Sequence, residues 1–386
     1  MRKTAMLIAA VCLMISITAC NAVGGTTNES TAPGTTGNGS NAPGAIESTA
    51  PGTASNGSTA PGTGANESNT PEPAATETAG PVTVTDQSGR EVVIGGNVER
   101  IVSGYYISSS VCIALGLADK LVGIEARANE RPIYALAKPE LMNLTSVGTA
   151  RDFNLEACLE LKPDLVILPA RLRDVADTME DMGVPVILVN PESYRELIDM
   201  VNLIGQATRE TARASQLTDW IENSRKSVDS LTVSLSDKPV VYMCGTGSWL
   251  STTPNGMFQA SLIELAGGRN AAGDIEGSGR IDISYEQLFL LNPDIIIVPP
   301  EAGFTIDDVL SDPLLTELSA VKTRSVYQMP EAFEAWDSPV PSFMLGVKWL
   351  LSVLYGDVYS IEMLRVDAAD YYMEFYGFIV DSTLIS

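Results

Sequence analysis

Short apolar runs alternate with longer amphipathic segments along the chain from about residue 81 to residue 386. Uninterrupted apolar runs are typical of strands that are buried on both faces of a parallel sheet. These runs lie at 100–103, 121–124, 164–168, 184–189, 240–243 and 294–298. Segments with helical spacing lie at 108–117, 154–161, 175–182 and 194–204. The alternation predicts an α/β fold with mainly parallel sheets.

One segment breaks this alternation. Residues 209–235 are polar and charged and contain no Gly or Pro, which favours one helix of roughly 35–40 Å at 1.5 Å per residue. Its position between two sets of strands predicts a rigid connection between two lobes, with the ligand in the crevice between them. The predicted divisions are a first lobe at 81–205, the connecting helix at 206–238 and a second lobe at 239–386. The alternative is a routine crossover helix within one sheet.

The N-terminal segment has the organisation of a secretory signal, with two basic residues followed by an apolar run over 5–17. The small residue before Cys20 resembles the lipobox of bacterial lipoproteins, in which the thiol is acylated. We therefore expect a signal peptide at 1–19 and a lipid anchor on Cys20, on the extracytoplasmic face of the cell membrane. The alternative is an ordinary cleaved signal with Cys20 incidental. Residues 20–80 are rich in Gly, Ser, Thr, Pro and Asn, which predicts a disordered tether.

Charge and composition exclude several classes of partner and chemistry. The chain has 48 acidic and 24 basic residues, a net charge of −24, which argues against nucleic acid as a partner. It has no histidine, so Ser-His or Cys-His catalysis and histidine ligation of zinc, haem iron or corrinoid cobalt are excluded. We find no phosphate-binding loop or zinc-protease motif. The sequence therefore predicts no enzyme, no cofactor and no bare metal site; the ligand is a preformed complex or an anion.

Several strings along the chain recur in one known family. The strings are Arg100-Ile101-Val102-Ser103, Ala114-Leu115-Gly116-Leu117, Leu161-Lys162-Pro163-Asp164, Leu265-Ala266-Gly267-Gly268, Ser284-Tyr285-Glu286-Gln287 and Leu291-Asn292-Pro293-Asp294. In this order the chain resembles the periplasmic-binding-protein family that serves importers of iron–siderophore complexes, cobalamin and haem. The resemblance covers essentially all of 81–386.

The resemblance implies two Rossmann-like lobes and a receptor that delivers a small-molecule ligand to an ABC permease dimer with its ATPase. We expect the receptor to be a monomer. An iron complex, above all a ferric siderophore, is the expected cargo. A corrinoid, a haem-like ligand, and molybdate or tungstate oxyanions stay open, as does a non-transport surface or sensory lipoprotein.

Two acidic residues match docking positions of that family. The resemblance implies that Glu156 and Glu286, one in each lobe, contact basic pockets of the permease. Both follow good N-cap residues, Asn154 and Ser284, so stabilisation of a helix N-terminus is an alternative role that does not exclude docking.

Candidate ligand contacts follow strand ends or lie in loops that face the predicted crevice. Arginine binds carboxylate, hydroxamate or phosphate oxygens through a bidentate fork, and aromatic faces pack on flat or bulky ligand parts. Arg151 and Arg171 are favoured. Arg131 is a further candidate, since it follows the strand that ends at Ile124, as Arg127 does. The predicted contacts are Tyr105, Tyr106, Arg127, Arg151, Arg171, Arg173, Trp249, Arg280, Phe333 and Trp336. For each arginine the alternative is a solvated loop charge, and for each aromatic it is core packing.

Overall fold

The structure, a computed structural model, describes residues 80–277 and 279–386. The predicted signal peptide, Cys20 and nearly all of the predicted tether lie outside these residues. Among the described residues, no helix has both the length and the apolar character needed to span a bilayer.

The residues before the connecting helix form a five-stranded parallel sheet in the order β5-β4-β3-β6-β7, next to an antiparallel β1-β2 hairpin. Their strands are β1 Val82–Thr85, β2 Glu91–Ile94, β3 Ile101–Ser103, β4 Leu121–Ile124, β5 Thr145–Ser146, β6 Leu165–Pro169 and β7 Val186–Val189. Their helices are α1 Tyr106–Ala114, α2 Pro132–Ala137, α3 Leu155–Glu160, α4 Arg173–Asp181 and α5 Tyr194–Thr208. The parallel pairing confirms the fold class predicted from the apolar runs.

The predicted long helix is α6, Thr211–Thr232, with 22 residues and a length of about 33 Å. It begins two residues later than predicted because Arg209 adopts a left-handed conformation, with φ of 66°, and ends α5. Helix α6 packs against α5, which precedes it in the chain, and against helices of the second half, which follow it.

The residues after α6 form a four-stranded parallel sheet in the order β10-β8-β12-β13 and an antiparallel β9-β11 pair. The strands are β8 Val240–Met243, β9 Ser251–Thr252, β10 Arg269–Asn270, β11 Ile281–Asp282, β12 Ile295–Val298 and β13 Val326–Gln328. The helices are α7 Phe258–Leu265, α8 Tyr285–Leu291, α9 Ile306–Ser311, α10 Ser319–Lys322, α11 Phe343–Leu354 and α12 Ile361–Tyr376.

One face of each sheet contributes to a shared hydrophobic core. Because successive strand residues point to opposite faces, Ile167 in β6 and Met243 in β8 enter this shared core. Their neighbours Leu168 and Tyr242 enter a separate core on the outer face of each sheet. The shared core also contains residues of α6 and α12. The sheets are thus joined by continuous packing as well as by the chain.

Candidate functional site

A cavity of about 240 Å³ lies where the two parallel sheets face each other. Its walls come from residues that follow β3 and β4 in the first half and from residues that follow β12 and β13 in the second. Open α/β sheets bind ligands at the carboxyl ends of their strands, and both sheets present those ends here.

Arg131 is the cation of this cavity. Its guanidinium lies 4.0 Å from the centroid of the Tyr106 ring. The Nε atom is buried, has no hydrogen-bond partner among the described residues and lies 3.6 Å from Oε1 of Glu125. Across the cavity, one terminal nitrogen lies 3.9 Å from Oε1 of Glu301, which follows β12. Arg131 is therefore fixed by stacking and long-range charge contacts, with donor capacity left for a ligand.

The carboxylate behind Arg131 is itself held by hydroxyl groups. Glu125, at the end of β4, is buried. It accepts hydrogen bonds from Tyr134 Oη at 2.7 Å and from Ser109 Oγ at 2.6 Å. Burial and the neighbouring Glu125 raise the pKa of Tyr134 well above its ordinary value, so that phenol stays a donor. This network keeps Glu125 in place as the acid that faces Arg131.

A second buried acid, Glu334, lines the cavity from the loop after β13. Its carboxyl group meets three hydroxyl groups: Ser110 of α1, Ser342 before α11, and Tyr376 of α12 at 3.2 Å. Burial raises the pKa of Glu334, although the three hydroxyl groups oppose that shift. The Glu334 network therefore joins elements from both halves of the chain.

Asp337 lies three residues further along the same loop and is also buried. Burial raises the pKa of Asp337 to about 6, while Arg280 acts in the opposite direction. Arg280 lies 3.9 Å from Asp337 and donates to the carbonyl oxygen of Cys244 at 3.2 Å. This arginine is thus committed to holding the loop.

Other carboxylates lie at the rim of the cavity. Glu130 accepts a 2.6 Å hydrogen bond from Nε of Arg127, which lowers the pKa of that carboxyl. Glu331 accepts from the backbone N–H of Glu301 at 3.1 Å. Glu301 lines the cavity with its side chain 53% exposed and adopts a left-handed backbone conformation, with φ of 58°. The rim is acidic, and the only cation among the described residues lining the cavity is Arg131.

Four of the predicted contacts lie at or beside the cavity. Tyr106 and Phe333 line it. Tyr105 meets Tyr106 edge to face at 5.3 Å, and the Arg171 guanidinium lies 5.8 Å from the Tyr105 ring. Burial raises the pKa of Tyr106, while Ser338 and Arg131 lower it. These side chains extend the site along the first sheet.

Trp336 lies in the core, which corrects its prediction as a ligand contact. It is fully buried, and its indole N–H donates to Oη of Tyr372 at 2.8 Å. On α11, a Cβ at Gly346 would lie 2.6 Å from the carbonyl oxygen of Trp336. The absence of that Cβ lets the Trp336 loop pack directly on α11, which turns the indole inward. The loop is irregular, as its prolines predicted.

The other predicted contacts do not line the cavity. Arg127 is 60% exposed at the rim, and Arg173 is 54% exposed beside Asp177. Arg151 is exposed in the loop before α3. Trp249 packs against Phe304 at 5.3 Å. The structure thus brings together the tyrosines and Arg131, and it separates them from these residues.

Sequence reasoning missed the acids Glu125, Glu334 and Glu301. Two features of the sequence could have revealed these buried polar groups. Glu334 stands between aromatic residues in its loop, and three consecutive serines begin at Ser108 within an apolar helix. Buried polar groups require partners, so both features indicated an internal hydrogen-bond network.

The two predicted docking acids are exposed in the first turns of α3 and α8. Asn154 and Ser284 cap these helices through hydrogen bonds from the backbone N–H groups of Ala157 and Gln287, which confirms both N-cap predictions. The Ser284 hydroxyl also lowers the pKa of Glu286. Both carboxylates are therefore free to contact a partner.

Comparison with known proteins identifies the family. A family model described as "Periplasmic binding protein" matches residues 101–333. The chain belongs to the periplasmic binding protein family. The match covers both parallel sheets and the connecting helix, and it agrees with the resemblance drawn from the sequence.

Individual members of this periplasmic binding protein family share about a quarter of their residues with the chain. Molybdate-binding protein MolA of Haemophilus influenzae is 27% identical over 320 residues, covering 76% of this chain and 90% of that protein. An uncharacterised ABC transporter substrate-binding lipoprotein, YvrC of Bacillus subtilis, is 26% identical over 288 residues, covering 72% and 87%. The crystal structure of a solute binding protein of Veillonella parvula matches with a TM-score of 0.72 and 27% identity, covering 78% and 95%. These relatives are named as binding proteins rather than enzymes.

Proposed function

We propose that this protein is the extracytoplasmic substrate-binding component of an ABC importer and that its cargo is a compact metal oxyanion, molybdate or tungstate. The observation that carries the ligand class is Arg131, which is 18% exposed and is the only cation among the described residues that line the small cavity between the sheets. The name of the relative MolA supports the same class.

Size favours a compact ligand over the ferric siderophore predicted from the sequence. The cavity of about 240 Å³ is smaller than the roughly 300–1,000 Å³ typical of pockets that enclose a drug-sized ligand. A corrinoid or a haem is larger still than most such ligands, whereas a tetrahedral oxyanion fits easily. Among the described residues, no group of three or more Cys, Asp and Glu side chains could hold a metal ion.

The chemistry of the site also suits an anion. A guanidinium fork donates two parallel hydrogen bonds to paired oxygens. Tyr106 packs against the Arg131 guanidinium, and the Arg131 side chain is only 18% exposed; this partial burial strengthens its charge contacts. Across the cavity, the carboxylate of Glu301 faces Arg131 from the second half, 3.9 Å from a terminal nitrogen of the guanidinium.

The transport role includes two further proposals. Exposed Glu156 and Glu286, on the first turns of α3 and α8, would contact basic pockets of the permease. Cys20 would carry the lipid that anchors the receptor, in keeping with the relative YvrC, which is named as a lipoprotein. Residues 20–80 would then form the tether between the membrane and the binding domain.

A ligand screen tests this function. The full-length protein is titrated calorimetrically with molybdate and tungstate, and separately with sulfate, ferric citrate, a ferric hydroxamate, cobalamin and haem. Saturable binding of the two metal oxyanions at one site supports the proposal. Binding of a ferric hydroxamate or cobalamin without molybdate or tungstate binding would refute the ligand class while leaving the receptor role.

A further inference from the structure

Glu334 has a role that oxyanion binding by Arg131 does not explain. It is 6% exposed and lines the same cavity as Arg131. An acid in an anion site repels the ligand when it is ionised, yet this one is built into the wall by contacts with α1, α12 and the residue before α11. The position of Glu334 in the cavity wall therefore indicates a function for its carboxyl group.

The hydrogen-bond partners of Glu334 suit both of its protonation states. Ser110, Ser342 and Tyr376 all reach it with hydroxyl groups. Ser110 and Tyr376 also lie within 3.0 Å of each other. Hydroxyl groups donate and accept, so all three can donate to an ionised carboxylate. When the carboxyl is protonated, one hydroxyl oxygen accepts its proton while the others remain donors. Protonation therefore requires only rotation of hydroxyl groups.

The charged groups around Glu334 make its proton sensitive to the contents of the cavity. Arg131 is the cation that favours the ionised state. The tyrosines of α12 that adjoin it have pKa values raised well above the ordinary range by burial and stay neutral. The remaining charges facing the cavity are the rim acids Glu130, Glu301 and Glu331. An anion bound at Arg131 offsets the attraction of that cation for the ionised Glu334 carboxylate, while the larger influence of the three hydroxyl groups remains.

We propose that Glu334 is a proton-linked specificity residue, whose carboxylate takes up one proton from solvent when a compact dianion binds beside Arg131. This inference rests on the proposed function. In the step, an O–H bond forms at a carboxylate oxygen of Glu334, the proton comes from the buffer, and no other bond changes. Protonation thereby removes the negative charge of Glu334 as a dianion enters the cavity. A singly charged ligand of the same shape favours this protonation less, so protonation contributes less to its affinity.

The linkage has a definite sign. Burial raises the pKa of Glu334 in the empty protein, and a bound dianion raises it further because it favours the neutral acid. Affinity is therefore constant below the pKa of the empty protein. Above it, affinity falls by up to about tenfold per pH unit until the pKa of the complex is reached.

Calorimetry of the full-length protein with tungstate between about pH 5 and pH 9 tests this linkage. Titrations in two buffers of different ionisation enthalpy give the number of protons taken up directly, without any variant. Perrhenate serves as a tetrahedral anion of single charge. Glu334→Gln removes the titrating group with little change of shape, and Asp337→Asn is the matched control because Asp337 is a buried acid of the same loop.

The expected result is net proton uptake by the wild type with tungstate and a falling affinity as pH rises. The slope should be shallower with perrhenate, absent in Glu334→Gln and retained in Asp337→Asn. Tungstate binding by the wild type without proton uptake would overturn this inference alone. A slope that persists in Glu334→Gln, or disappears in Asp337→Asn, would also overturn it. Failure of the wild type to bind either metal oxyanion would refute the proposed function and this inference with it.

Discussion

Replacing Arg131 by Met should remove most of the affinity for an oxyanion. The methionine side chain keeps an apolar stem over the Tyr106 ring, 4.0 Å from the present guanidinium, and deletes only the charge and the donors. Each hydrogen bond to a charged group contributes about 1.5–3 kcal/mol. Loss of a two-bond fork therefore costs about 3 kcal/mol or more, which is about two orders of magnitude in Kd.

The free protein should tolerate this change. Glu125 keeps its hydrogen bonds from Tyr134 and Ser109, at 2.7 and 2.6 Å, when Arg131 is removed. The pair that is lost joins Arg131, 18% exposed, to Glu125, 8% exposed, across 3.6 Å; its loss leaves a buried acid without its cation, so we expect stability to fall by about 1–3 kcal/mol. A thermal unfolding curve of the variant without ligand checks this expectation.

The matched control is Arg127→Met. Arg127 lies four residues earlier in the same segment, is 60% exposed and pairs with Glu130 at the rim. Calorimetry with molybdate should show a Kd within about threefold of wild type for this variant, against a loss of about a hundredfold for Arg131→Met. The reasoning is refuted if the two variants bind equally well, or if Arg131→Met binds as wild type does while its unfolding curve shows an intact fold.

Three further predictions concern the rim, the loop and the outer helices. Glu301→Gln should tighten molybdate binding about fivefold, since a like charge about 5 Å away costs about 1 kcal/mol in a largely solvated setting; weaker binding would show that Glu301 contacts the ligand favourably. Burial raises the pKa of Asp337 to about 6, so the folded chain binds more protons than the unfolded chain below that value. The contribution of Asp337 to stability should therefore fall by about 3 kcal/mol as pH rises from about 4 through 6, and Asp337→Asn should make the fall of Tm over that range correspondingly shallower; an unchanged slope contradicts the assignment. The double variant Glu156→Ala, Glu286→Ala should bind molybdate with the affinity of the wild type but fail to support transport by the reconstituted permease. A reduced affinity for molybdate would contradict the assignment of these two residues to docking.

The sheets were predictable because their strands are buried on both faces. An uninterrupted apolar run such as that around Ile295–Val298 has few alternatives to a central parallel strand. The long helix was predictable from the absence of Gly and Pro over 209–235. Its first turn was not, because the left-handed Arg209 that ends α5 is a conformation that most residue types adopt only rarely.

The site was predicted only in part because side-chain direction depends on packing. Tyr106 follows a strand end and lines the cavity, and its role as a ligand contact stays a prediction. Trp336 has the same aromatic character, yet close packing of its loop on Gly346 turns it into the core. Glu334 was missed because the hydroxyl groups that satisfy it come from α1, α12 and the start of α11, and sequence spacing does not reveal partners so distant along the chain.

The most direct test of the central claim is anomalous diffraction at the tungsten edge from crystals of the protein grown with tungstate. The structure predicts one strong peak inside the cavity, within about 4–5 Å of the Arg131 guanidinium carbon, as two hydrogen bonds to oxyanion oxygens require. A strong peak elsewhere on the molecule, with the cavity empty, would contradict the account.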